Sequence, residues 1–161
     1  MKKYVHYSRR GVNKFNRDLF MPVKNEPMRN KPSGCFWGSP IDTDMNWEHW
    51  CKNNDFATSS LREENKIVFT LTEDAKVLTI KSVNDLKDLP KLKTLMGMEK
   101  FYTYLDFEEI SKSYDAIELL LSEEEIDFSN HRIKGLYYEL YGWDCDTILV
   151  MNPDVIIEEG R

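Results

Sequence analysis

The sequence has none of the compact signatures of the commonest enzyme chemistries. There is no GxGxxG after a strand, no GxxxxGK(S/T) loop to cradle phosphates and no HExxH to put two histidines on one helix face. Cysteine is scarce. Cys35, Cys51 and Cys145 are odd in number and far apart, which reads as reduced thiols and predicts a cytoplasmic protein. None has a second cysteine at zinc-ligand spacing. His49 and Cys51 stand two apart, where helical side chains point to different sides, so no metal is expected. A Cys/His hydrolase stays open, because such partners need not be sequence neighbours, but nothing local supports it. There is no apolar run of about 18 residues, so no membrane-spanning helix is expected. Residues 1–6 turn polar too early for a signal-peptide core. The net charge of −6 speaks against a dedicated nucleic-acid binder, which needs a basic face.

What is present fits a folded domain. The 161 residues can bury a core, aromatics are plentiful, and no repeat or low-complexity linker marks a boundary, so residues 1–161 are expected to form a single domain. Charge is unevenly spread. Lys2, Lys3, Arg9, Arg10, Lys14, Arg17, Lys24, Arg29 and Lys31 crowd the first third, while acids dominate from Glu48 onward. The basic stretch reads either as solvated surface or as a groove wall facing an anion such as a pyrophosphate.

Residues 3–7 read as a first strand, and 9–33, with three prolines, as a long loop of the kind that is usually functional. Residues 34–38 read as a second strand. A short helix capped at Asp44 or Asn46 follows, holding Trp47, Trp50 and Cys51. Strands are expected at 67–71, 77–80, 114–120 and 147–151. Helical turns are expected from Ser82 or Asn84 to Pro90, from Phe107 to Ser113 under an Asp106 cap, and at 136–141, with an acidic turn at 122–127. Strands do not alternate regularly with long helices, which predicts an α+β fold with mostly antiparallel pairing.

Four segments follow one another in a telling order. A short strand carries His6 and Tyr7. A strand Gly34-Cys35-Phe36-Trp37-Gly38-Ser39 leads into the aromatic helix around Trp47. The segment Tyr114-Asp115-Ala116-Ile117-Glu118-Leu119 comes much later. An acid-headed strand then runs from Asp144 through Asp146 to Asn152-Pro153-Asp154. This order resembles the ADP-ribosyltransferase superfamily, including its small bacterial-toxin and phage-effector members. The resemblance implies a split β-sandwich of two mostly antiparallel sheets with short flanking helices. It implies an NAD-dependent mono-ADP-ribosyltransferase, with NAD as substrate, an unidentified protein or nucleic-acid acceptor, and an antitoxin or host protein as a further partner. It implies that His6, Tyr7, Gly34, Phe36, Trp37, Ser39, Trp47 and Asp144 contact NAD, and that Asp146, His6 and Ser39 carry the chemistry. Breaking the nicotinamide–ribose bond develops oxocarbenium charge, which a carboxylate stabilises. Aromatic rings stack on nicotinamide and exclude water.

The closing strand departs from the family pattern, offering Asp144 and Asp146 where a glutamate is usual. This favours a second reading, a catalytically inactive member acting as an interaction module. A third, an RNA 2′-phosphotransferase of the same fold family, has too few basic candidates in Arg9, Arg10 and Arg62. Each residue also has a plainer reading. His6 can be a satisfied edge-strand histidine, the aromatic residues core, Ser39 a turn residue, and Asp146 a surface charge at a strand start. Glu139 and Tyr141 either line the cleft or cap it.

Overall fold

The computed structural model describes residues 1–8, 11–27, 29–93, 103–121, 139–140 and 142–160. Its strands are β1 (Tyr4–Tyr7), β2 (Phe36–Pro40), β3 (Lys66–Leu71), β4 (Val77–Ile80), β5 (Ala116–Leu119), β6 (Thr147–Val150) and β7 (Ile156–Glu158). Among the described residues the short α-helices α1 (Trp47–Asn53) and α2 (Phe107–Ile110) accompany them. The fold is α+β. The expected turn at 122–127 and most of the helix expected at 136–141 lie outside the described residues. No helix among the described residues is long and apolar enough to cross a membrane.

The strands form one mixed sheet in the order β4-β5-β6-β2-β1-β3-β7. Every pairing is antiparallel except β4 with β5. Strand β2 joins the two halves of the sheet by changing partner along its length. Phe36, Trp37 and Gly38 pair with β6, whereas Ser39 and Pro40 pair with β1. The family resemblance implies that the strand bearing His6 and the closing strand lie side by side, as both would carry cleft residues, but β2 lies between them.

Alternation along β5 and β6 serves two cores. Ile117, Leu119 and Leu149 face a cluster with Ile80, Leu86, Phe107, Ile110 and Trp143. Ala116, Ile148 and Val150 face another with Tyr4, Phe69, Leu71 and Val155. A central strand covered on both sides reads as a continuous apolar run, as Ile148–Val150 does. Gly38 is required at the junction. A Cβ there would stand 2.9 Å from Phe69 Cζ and 3.1 Å from Ile148 Cγ2.

The helices begin at side-chain caps. Asn46 Oδ1 accepts from the His49 amide, and Asp106 Oδ1 from that of Glu109, meeting donors that a first helical turn leaves unpaired. Asn25 docks α2 on the N-terminal segment. Its amide donates to Asp106 Oδ1 and its carbonyl accepts from the Phe107 N–H.

Candidate functional site

The ladder between β1 and β2 stops after the Val5–Ser39 pair. Where the strands part, a cavity of about 430 Å³ opens, within the range of small-molecule sites. Val5, His6 and Tyr7 line it from β1, Trp37 and Gly38 from β2, and Trp47 from α1. Lys31 and the stretch Gly142, Trp143, Asp144, Cys145 and Thr147 complete the wall. His6, Tyr7, Trp37, Trp47 and Asp144 were all named from sequence, and the fold brings them together from four separated segments.

His6 is half-buried in the cavity wall. Its Nδ1 lies 2.6 Å from the Trp37 carbonyl oxygen, which can only accept, so Nδ1 carries the proton and Nε2 the lone pair in the neutral ring. The ring packs on Phe36 with centroids 4.7 Å apart. Burial lowers the His6 pKa, and the bond to Trp37 opposes that only in part. Tyr7 donates its hydroxyl to Glu48 Oε2 at 2.6 Å. Burial and that carboxylate both push the phenol far above its ordinary pKa, so it remains a donor. Hydrogen bonds from Lys52 and Tyr7 hold Glu48 below its usual value. Tyr7, Glu48 and Lys52 thus link the cavity wall to the exposed face of α1.

The rings are held by one another. Trp37 meets Trp143 edge-on at 4.9 Å, and Trp143 stacks on Phe107 at 6.0 Å. Trp47 stacks on Trp50 at 5.4 Å, with Phe56 edge-on to both. Burial pushes the Cys145 thiol up to about 12, which favours the protonated form at neutral pH.

The remaining sequence candidates lie elsewhere. Ser39 is buried and fully engaged, donating to the Asp146 carbonyl at 2.6 Å and accepting from the Trp47 amide at 2.9 Å. It ties β2, α1 and the entry to β6 together, and its hydroxyl is outside the cavity lining. Phe36 belongs to the opposite face of the sheet, packed against Phe15 and Phe69. Gly34 makes a close backbone approach. At its φ of +74°, a Cβ would fall 2.1 Å from the Pro22 carbonyl oxygen. Asp146 is fully buried and outside the lining, and its Oδ1 accepts from the Leu121 amide at 2.6 Å. The carboxylate that reaches the cavity is the exposed Asp144. Glu139 is buried beside Lys91, at 3.5 Å, and is not among the lining residues. Tyr141 lies outside the described residues.

Sequence reasoning did not single out Glu48, Trp143, Cys145 or Thr147. Glu48 finds Tyr7 across 41 positions, a contact that no local pattern signals. Thr147 alternates with Asp146 along the chain, so giving the chemistry to Asp146 turns Thr147 away from the site. Among the described residues, no three histidine, cysteine or acidic side chains group as metal ligands. A second depression of about 590 Å³, bounded by Asn13, Lys14, Glu63, Lys66 and Glu158, has no aromatic wall. Comparison with protein-family models, curated proteins and solved structures finds no match.

Proposed function

We propose that the protein is an NAD-dependent mono-ADP-ribosyltransferase whose cavity takes the nicotinamide–ribose half of NAD. The observation that carries this reading is the convergence of His6, Tyr7, Trp37, Trp47 and Asp144 on one cavity. Its walls suit a planar heteroaromatic ring, with tryptophan faces for stacking and few polar groups to fix orientation. The split form of that family's sheets would correspond to the change of partner along β2, with the ligand seated where the two halves part.

In this reaction the glycosidic C–N bond breaks and nicotinamide leaves with the electron pair. The ribosyl carbon gains positive charge and is captured by an acceptor nucleophile, which loses a proton. Asp144 is the one carboxylate among the described lining residues, and it takes the role of stabilising that charge in place of Asp146. His6, with Nδ1 committed to Trp37, offers Nε2 as an acceptor for a ribose hydroxyl. Tyr7, kept protonated by Glu48, forms a fixed wall.

The test is incubation of the purified protein with NAD labelled in the adenylate half, in the presence of cell lysate. Label transferred to a macromolecule, together with released nicotinamide, supports the reading and identifies the acceptor class. Neither product at any acceptor concentration contradicts it. A second reading, an inactive member of the same fold that binds without turnover, is favoured by the burial of Asp146 away from the cavity. It requires saturable NAD binding with no nicotinamide release.

A further inference from the structure

Of the basic residues in the first third of the chain, Lys31 is the one that lines the cavity among the described residues. Its position is built by anchors on both sides. The indole N–H of Trp143 donates to the Asn30 carbonyl at 3.1 Å. Lys24 and Ser33 exchange backbone hydrogen bonds of 3.0 and 2.9 Å, closing the loop that carries Lys31. Pro32 between them is buried. The side chain runs past Gly142, whose Cβ position would lie 3.6 Å from Lys31 Cε, and its ammonium stands 5.8 Å from the Trp37 ring centroid. Among the described residues no carboxylate pairs with it, whereas Lys2, Lys3, Lys52, Lys66, Lys91 and Lys112 each have an acidic partner.

We propose that Lys31 is the anion-binding residue of the cavity, so that the ligand carries a phosphate close to the ring that stacks against the tryptophans. A lysine held beside an aromatic wall without a carboxylate partner keeps its donors available to an incoming anion. It also supplies positive potential at the mouth of an otherwise acidic protein. The inference rests on the ligand reading above and narrows it. The phosphate next to the ribose is bound by Lys31, and the base-plus-ribose portion alone binds poorly.

Tryptophan fluorescence gives a readout that needs no turnover, because Trp37, Trp47 and Trp143 all line the site. Wild type, Lys31→Gln and Lys31→Arg are titrated with nicotinamide mononucleotide, nicotinamide riboside, ADP and inorganic pyrophosphate, with thermal melts as the control for folding. In wild type the mononucleotide should bind about tenfold more tightly than the riboside, the usual scale for one charge-assisted hydrogen bond. Lys31→Gln should abolish that ratio without changing riboside affinity, Lys31→Arg should largely keep it, and raised salt should shrink it. An equal ratio in wild type and Lys31→Gln overturns the proposal. Failure of both nicotinamide compounds to bind, with ADP or pyrophosphate bound in a Lys31-dependent way, sinks the NAD reading and leaves the anion site standing. Absence of any phosphate-dependent binding sinks the anion site.

Discussion

Ser39 shows how a residue can sit beside a site and serve it only through structure. Its hydroxyl satisfies the Asp146 carbonyl and the Trp47 amide at once. Ser39→Ala leaves both buried groups short of a partner, at about 1–3 kcal/mol each before any relaxation. Chemical denaturation should therefore show a loss of about 2–4 kcal/mol, while the folded fraction keeps its ligand affinity. Unchanged stability with lost affinity would return Ser39 to the binding site. His6 makes a prediction in pH. Its folded-state pKa is lowered by burial, so the unfolded chain binds the proton more readily. The stability owed to the neutral ring is complete above the ordinary histidine value of about 6.5 and drains away as pH falls from there through the lowered folded value. His6→Gln, which retains a donor for the Trp37 carbonyl, should flatten that part of the Tm profile. An identical acid slope in both proteins would place the titration on another group.

Among the elements, the entry to β6 sets which acid reaches the cavity. Alternation along this strand was legible. Ile148 and Val150 share one face, Thr147 and Leu149 the other, and the structure keeps that division. Which face meets the cavity was not legible, because it depends on how β2 crosses between β6 and β1, and that pairing leaves no local mark in either strand. The cavity lies on the Thr147 side, so Asp146 points into the fold and Asp144 stands at the rim. Asp144→Asn should cut nicotinamide release by roughly 10²-fold, as loss of a preorganised charge commonly does, with little change in stability. Asp146→Ala should instead cost about 1–3 kcal/mol, by orphaning the Leu121 amide. The reverse pattern would mean that the strand is rotated from the position described. The junction in β2 has its own test. Gly38→Ala forces a methyl against Phe69 and Ile148 and should destabilise by about 1–3 kcal/mol in urea titration. A neutral effect would show that Phe69 gives way freely.

Across the whole molecule, the strands and helix starts were the readable part. The runs 67–71, 77–80 and 147–151 and the caps at Asp106 and at Asp44 or Asn46 come close to β3, β4, β6, α2 and α1, with Asn46 the cap of α1 and α2 shorter than expected. Strand β7 was missed. Ile156–Glu158 is three residues long and owes its form to pairing with β3. About half of the cavity wall was legible. Aromatic residues and His6 could be named from their order, but not sorted into wall and core. Phe36 and Trp37 are adjacent and differ only in the face of β2 each occupies, Phe36 packing with Phe69 and Trp37 lining the cavity. Under the proposed function, the NAD site is formed where β1 and β2 part. A crystal structure of the protein with NAD tests it most directly. The nicotinamide ring should lie within the walls of Trp37 and Trp47, with its ribose toward His6 and Asp144. NAD bound at the depression near Lys14 and Lys66, or no NAD at saturating concentration, would contradict it.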